Sequence, residues 1–254
     1  MLIICCGMPR AGSTLQYNIA RTLIEEIDLG TGLGYFTDLY KHQIFEWAKA
    51  DEFYVIKIHN VPSLSITELA VEGELKICYI YRDIRDVALS LKQKWSLKGQ
   101  RLLKWLDQII KIYYDLEKIS GVLWQKYEEV MPDMNHAIRQ IAEFFQLEIT
   151  EEIVSFVVEE CSLTNVKEIM CTLNRGLKRK LRTRWKRAMV KIGSVQIEPV
   201  SSPLIDKRTL VHHDHISKTN GAIGAWQQFL DKKDVEVITN RYKTWLLETG
   251  YNLD

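Results

Sequence analysis

Residues 2–14 read LIICCGMPRAGST, and this stretch decides the fold of the 254-residue chain. Its apolar start predicts a strand, its middle a tight loop, and the apolar pattern from Leu15 to Ile27 a helix. Such a loop directs backbone N–H groups to one point at a helix N-terminus, where the helix dipole favours an anion. The stretch therefore predicts an α/β fold with a phosphate site after its first strand.

The loop lacks the lysine of nucleoside triphosphate sites. In the pattern G-x-x-x-x-G-K-[ST] that lysine reaches the β- and γ-phosphates, and here Ser13 stands in its place after Gly7 and Gly12. Arg10 is the only cation in the loop. The loop therefore predicts a nucleotide with a single 5′-phosphate group and a different leaving chemistry.

A second β-rich run, FYVIKIHNVP at 53–62, ends in polar residues. Lys57 and His59 are two apart and hence on one face of an extended chain. A histidine accepts a proton near neutral pH, and a nearby ammonium steadies anionic oxygens. The pair predicts acid–base chemistry at a strand end.

A third segment joins the predicted strand 76–81 to a helix through two Arg-Asp pairs. The segment has an arginine at the strand end, Arg82, and a serine eight residues later, Ser90, two side chains of the kind that suit a phosphate. Arg85 is interpreted instead as part of a local salt-bridge cluster with Asp83 and Asp86.

A fourth segment, GAIGAW at 221–226, contains glycines that allow close approach of backbone to a ligand. Together the four segments resemble the sulfotransferases that use 3′-phosphoadenosine 5′-phosphosulfate (PAPS), the cytosolic type in particular, from residue 2 to about residue 230. The resemblance implies a three-layer fold, a parallel sheet flanked by helices with P-loop-like topology, in one domain spanning 1–254. It implies PAPS as donor, 3′-phosphoadenosine 5′-phosphate (PAP) as product, and no metal.

The resemblance also implies roles for individual residues. His59 would be the general base, and Lys57 with Arg10 would balance charge during transfer to an acceptor hydroxyl. The residues implied to bind the nucleotide are Pro9, Arg10, Ala11, Gly12, Ser13, Thr14, Arg82, Ser90, Tyr127, Lys218 and Gly221. The chain departs from the family in one place, since Thr219 and Asn220 stand where two cations are expected. Either Lys218 and the loop amides replace them, or the donor binds more weakly.

Two other classes of function stay open, a phosphotransferase that uses a nucleoside triphosphate and a nucleotide-binding module without chemistry. The acceptor also stays open between a small alcohol or phenol and a carbohydrate. The loop residues Leu33, Tyr35 and Phe36, with the aromatic-rich stretch from Trp95 to Tyr114, are candidates for an acceptor pocket, and equally for plain core.

Two polar segments lie outside these motifs. Residues 175–191 read RGLKRKLRTRWKRAMVK and predict an amphipathic basic helix, most simply a surface helix docked by its apolar stripe. A contact with an anionic ligand or surface is the alternative. The run HHDH at 212–215 has consecutive rather than spaced ligands, so we expect it to shape a cleft rather than bind a metal.

Composition fits one globular domain. The net charge is +1, so we expect no nucleic-acid partner. The five cysteines include no C-x-x-C pair and are interpreted as reduced. Only five apolar residues follow Met1 before the loop, too few for a signal peptide or a membrane span, so we expect a cytoplasmic protein.

The hydrophobic pattern alternates strands and helices as in a parallel sheet covered by helices. Strands are predicted near 2–6, 53–58, 76–81 and 121–126. Helices are predicted near 14–28, 38–50, 83–95, 100–118, 133–145 and 149–160.

Overall fold

The computed structural model of the protein describes residues 1–36, 41–59, 73–175 and 205–254. Its single sheet has five strands, β1 (Leu2–Gly7), β2 (Gly30–Tyr35), β3 (Phe53–Ile58), β4 (Leu75–Tyr81) and β5 (Val122–Lys126). They lie in the order β2-β3-β1-β4-β5, and every neighbouring pair is parallel. The predicted α/β fold is confirmed, and all four predicted strands are present.

Helices cover both faces of this sheet. In chain order they are α1 (Ser13–Glu26), α2 (Lys41–Ala48), α3 (Ile84–Trp95), α4 (Gly99–Glu117), α5 (Tyr127–Val130), α6 (Met134–Phe145), α7 (Glu151–Glu160), α8 (which includes 163–175), α9 (Trp226–Phe229), α10 (Lys232–Arg241) and α11 (Lys243–Glu248). The six helices predicted near 14–28, 38–50, 83–95, 100–118, 133–145 and 149–160 each have a counterpart among the described residues.

The alternation of side chains along β1 builds two cores. Leu2 and Ile4 face the cluster that packs against α3 and α4, whereas Ile3 and Cys5 face the cluster that packs against α1 and α6. A strand buried on both faces explains its continuous apolar sequence. The result is the expected three-layer arrangement.

The sequence pattern does not predict the strand β2, since residues 33–36 read as a loop. Its glycines at alternate positions have low strand propensity, yet at two of these positions a side chain would clash with neighbouring atoms. A Cβ at Gly30 would lie 1.9 Å from the Phe53 carbonyl oxygen, and one at Gly32 would lie 2.5 Å from Cγ of Arg21. The close approach of β3 at Gly30 and of α1 at Gly32 therefore explains why a strand here contains glycines.

Two sequence predictions fall partly or wholly beyond the part of the chain that the structure covers. The basic helix predicted at 175–191 lies outside the described residues after Arg175, and the start of the helix predicted at 38–50 lies outside them as well. Within the described ranges, the structure contains no helix with the length and apolar character that crossing a bilayer requires.

Candidate functional site

The loop between β1 and α1 is a tight backbone cradle. Arg10 has φ 70° and Gly12 has φ 89°, both in the left-handed region. A Cβ at Gly12 would lie 3.0 Å from the Tyr127 ring, so this position requires glycine on two grounds. The N-terminus of α1 follows immediately, and its amides and dipole favour an anion at the loop.

A cavity of about 640 Å³ opens beside this loop. It brings together most of the predicted site residues, namely Pro9, Arg10, Gly12, Ser13, Thr14, Lys57, His59, Arg82, Ser90, Tyr127 and Gly221. Ala11 does not line it, because its side chain is buried in the core. Lys218 is exposed and does not line it either, so a role for this lysine stays a prediction.

Lys57 and His59 meet at the carboxyl end of β3. His59 Nδ1 lies 3.2 Å from the Gly7 carbonyl oxygen, which can only accept, so Nδ1 carries the proton. His59 Nε2 then accepts from Lys57 Nζ at 3.2 Å. The lone pair on His59 Nε2 therefore faces the ammonium of Lys57 in the cavity wall. This tautomer is the one that a general base acting through Nε2 requires.

Burial changes the ionisation of both groups. Burial lowers the pKa of His59 to about 4, and the neighbouring ammonium of Lys57 adds to the effect. Burial also lowers the pKa of Lys57 to about 8, with a further contribution from Arg10. At neutral pH the site thus holds a neutral imidazole beside an ammonium.

Arg10 connects the loop to two other parts of the cavity wall. Its Nε donates to Ser90 Oγ at 2.9 Å, and its Nη2 donates to the His215 carbonyl at 3.1 Å. Burial lowers the pKa of Arg10, and Arg82 nearby lowers it further. The loop cation and the predicted phosphate hydroxyl therefore belong to one hydrogen-bonded unit.

Arg82 fastens the glycine-rich segment to the sheet. Its Nη2 lies 2.9 Å from Asp86 Oδ2 and donates to the carbonyls of Gly221 and Ala222 at 3.2 and 2.6 Å. Tyr127 donates to the same Gly221 carbonyl at 2.9 Å, and its ring lies 4.3 Å below the guanidinium. Arg82 Nε is buried and has no hydrogen-bond partner among the described residues. That donor is one a bound anion would satisfy.

Arg85 has the structural role expected of it. It forks onto Asp83, donates to the Asn252 carbonyl at 2.6 Å, and stacks on Trp226 at 3.8 Å. The sequence predicts that Arg85 makes a salt bridge and that Arg82 does not. The prediction for Arg82 is wrong. Because Asp86 lies one turn along α3 from Arg82, it faces that guanidinium and makes a buried ion pair.

Two members of the histidine run, His212 and His215, line the same cavity as His59. The His212 and His215 rings meet edge to face at 4.6 Å, and His212 Nδ1 lies 2.7 Å from Asp214 Oδ1. Burial lowers the pKa of His212 to about 4 and that of His215 to about 3. Among the described residues no group of side chains has the arrangement of a metal site.

Lys94 is a cavity residue that the sequence analysis missed. It lies four residues after Ser90, on the same face of α3, and its Nζ is 3.1 Å from His212 Nε2. Its spacing from Ser90 could have predicted this position, because a helix that directs Ser90 toward a ligand places the residue four positions later beside it.

The aromatic candidates divide between cavity and core. Tyr35, Trp95 and Trp105 line the cavity, with Ile109 and Ile112 on the same face of α4 as Trp105. Leu33 and Phe36 instead pack against the core cluster. Some of these candidates therefore line the cavity, and others belong to the hydrophobic core.

The chain is similar in sequence to known sulfotransferases. A family model described as "Sulfotransferase domain" matches residues 2–194. Human sulfotransferase 1C2 is 21% identical over 196 residues, which cover 65% of this chain and 66% of that protein. The amine sulfotransferase of Oryctolagus cuniculus is 24% identical over 116 residues, 38% of each chain. The chain thus spans just under two thirds of the first of these relatives and a smaller part of the second.

Solved structures show the same fold. Mouse sulfotransferase SULT7A1, complexed with PAP, superposes with a TM-score of 0.60 at 14% identity, covering 96% of this chain and 84% of that one. Retinol dehydratase, in a complex with retinol and PAP, superposes with a TM-score of 0.56 at 16% identity, covering 99% and 82%. At these identities the likeness establishes the P-loop-like architecture.

Proposed function

The chain belongs to the sulfotransferase family, and from that premise we propose that it transfers a sulfuryl group from PAPS to an acceptor hydroxyl. His59 is the base in this proposal, and Lys57 and Arg10 balance the charge. The observation that carries it is the contact of Lys57 Nζ with the unprotonated Nε2 of His59, at the wall of a cavity that the phosphate loop also lines.

The donor site fits a nucleotide with anionic groups at both ends. The loop amides and Arg10 would hold the 5′-phosphosulfate, while Arg82 and Ser90 would hold the 3′-phosphate. Arg82 Nε offers a buried donor that lacks a partner among the described residues. Both structural relatives described above carry PAP, which supports this assignment for a chain of the same fold. Ser13 in place of the loop lysine opposes the alternative of a triphosphate-dependent phosphotransferase.

In the transfer step the protein supplies proton acceptance and charge. His59 takes the hydroxyl proton at Nε2 as the acceptor oxygen bonds to sulfur. The bond from sulfur to the 5′-phosphate oxygen breaks, and its electron pair leaves with PAP. Lys57 must turn from His59 toward the sulfuryl oxygens, which frees the lone pair and removes the charge that lowers the pKa of His59. Positioning and preorganised charge supply the rate.

This proposal is tested by turnover of PAPS with a panel of a phenol, an aliphatic alcohol and an oligosaccharide. We expect PAP and a sulfated product from at least one of them. In H59A, turnover should fall by about 10²–10⁴, the usual contribution of a positioned general base, while PAP affinity stays nearly unchanged. The matched control is H136A, since His136 is exposed at the start of α6 and does not line the cavity.

Two results would count against the proposal. Near-normal turnover in H59A would assign the base elsewhere, with His215 the next candidate in the cavity wall. Tight PAP binding without turnover of any acceptor would favour the nucleotide-binding module.

A further inference from the structure

Lys94 is a positively charged residue of the cavity wall that is not among the residues assigned to the sulfuryl donor. It lies one helical turn beyond Ser90 on α3, and its side chain is only 18% exposed. Its Nζ donates to His212 Nε2 at 3.1 Å and to the Asp214 carbonyl at 3.3 Å. An ammonium has three donors, and Asp214 Oδ1 lies 3.6 Å from Nζ, a distance at which a hydrogen bond is weak, so a ligand anion can compete for the third donor.

The charge of Lys94 is only partly balanced. Asp214 Oδ1 lies 3.6 Å from Lys94 Nζ but 2.7 Å from His212 Nδ1, and the Asp214 side chain is 55% exposed. The carboxylate is therefore solvated and serves mainly to orient a neutral His212. Burial lowers the pKa of Lys94 and Arg10 lowers it further, while Asp214 offsets part of this effect. An anion at this point would be stabilised.

Beside Lys94 the cavity wall offers a platform for a ring. The Trp95 and Trp105 rings lie 5.3 Å apart and are 44% and 40% exposed, although both line the cavity. Ile109 and Ile112 continue this apolar wall along α4. Half-exposed indole faces within a cavity bind the faces of rings, because burial of that surface is favourable.

From this juxtaposition we infer that the acceptor is a ring-bearing alcohol or phenol with an oxyanion substituent such as a carboxylate. Lys94 binds the oxyanion, oriented by His212, and the pair Trp95 and Trp105 covers the ring. Lys94 is thus a specificity-determining residue for the acceptor. This inference rests on the proposed function, since it takes Arg82, Ser90 and the loop as the donor site.

The test uses two probes that differ only in charge, 4-hydroxyphenylacetate and its neutral amide, titrated by calorimetry into PAP-saturated protein. The wild type should bind the carboxylate at least about tenfold more tightly, as expected for a hydrogen bond to a charged group. K94M should abolish the preference and K94R should keep most of it. K98M is the matched control, because Lys98 is exposed outside the cavity and its loss removes the same charge. W105L should weaken both probes alike.

Three results would overturn the inference: equal affinity for both probes in the wild type, no binding of either probe, or a preference that survives in K94M. A loss of PAP affinity in K94M, with the probe preference intact, would assign Lys94 to the donor instead. Failure of the wild type to bind PAP is a separate result, which would overturn the proposed function and this inference with it.

Discussion

The site depends on the way two residues at the end of β3 set each other's ionisation. Burial and the ammonium of Lys57, which donates to Nε2, keep the imidazole of His59 neutral, while burial lowers the pKa of Lys57 itself to about 8. Paired pKa shifts of this kind at one cavity wall are typical of functional sites.

The pH profile of kcat/KM tests this pairing, because it reports the ionisation of the free enzyme. His59 must be neutral, and with a pKa of about 4 it stays neutral until the pH falls to that value. Lys57 must be charged, and with a pKa of about 8 it loses its charge as the pH rises through that value. We therefore expect a plateau between these values and a decline above about 8.

The variant K57R shows whether the decline in kcat/KM at alkaline pH, the alkaline limb, comes from Lys57 or from titration of the acceptor. A guanidinium does not titrate in this range, so with the same acceptor the limb should disappear in K57R, whatever the loss in overall rate. An alkaline limb at the same pH in both proteins would assign it to another group.

At the scale of elements, α3 organises the cavity wall. Its first turn holds Asp86, which pairs with Arg82 and accepts from the amides of Gly224 and Trp226 at 2.9 Å each. The next turns carry Ser90 and Lys94. One helix thereby fixes the glycine-rich segment, the predicted phosphate ligand and the additional cation.

Arg82 should hold the 3′-phosphate more strongly than Lys218 does. In R82A the preference for PAP over its 3′-hydroxyl analogue should fall by about 1.5–3 kcal/mol, the range for a hydrogen bond to a charged group. In K218A the loss should be smaller, because this lysine is exposed and outside the cavity wall. Calorimetric titration of both nucleotides against both variants decides between them, and a larger loss in K218A would make the C-terminal segment the principal site.

Gly221 and Gly224 form a matched pair for testing how the glycine-rich segment packs. Both have positive φ, 75° and 70°, so alanine should cost about 1–2 kcal/mol at either position. At Gly221 a Cβ would also lie 2.4 Å from Tyr127 Oη, whereas at Gly224 its closest neighbour is a flexible glutamine at 3.7 Å. In denaturant unfolding, G221A should therefore lose about 1–3 kcal/mol more than G224A. Equal losses would mean that the contact with Tyr127 is not tight.

Sequence patterns predicted those elements whose local signal agrees with their environment. β1 and β4 are continuous apolar runs, and they are buried on both faces as such runs predict. The sequence does not predict β2, because Gly30 is needed for close packing on β3 and Gly32 for close packing on α1, a tertiary requirement that propensity does not encode. At the site, most of the predicted residues line one cavity, whereas the contacts of Lys94 with His212 and of Arg82 with Ala222 depend on distant chain segments meeting.

At the scale of the whole molecule, the parallel sheet gathers the site at one edge. The loop after β1, His59 after β3, Arg82 after β4 and Tyr127 after β5 all follow strand ends at the same edge. The chain has a net charge of +1, yet the described cavity lining includes four cations, Arg10, Lys57, Arg82 and Lys94, and Glu160 as its one carboxylate. This imbalance favours an anionic ligand with several charges.

The most direct test of this account is the thermal stability of the protein with PAP and with ATP and magnesium. At a hundredfold excess over Kd, a ligand that binds the native state stabilises it by about 2.7 kcal/mol. For a chain of this size that corresponds to a rise in Tm of about 5–10 °C. We predict this rise with PAP alone, without magnesium, and a much smaller one with ATP and magnesium. An equal rise with ATP and magnesium, and none with PAP, would contradict the assignment of the cavity to a sulfuryl donor.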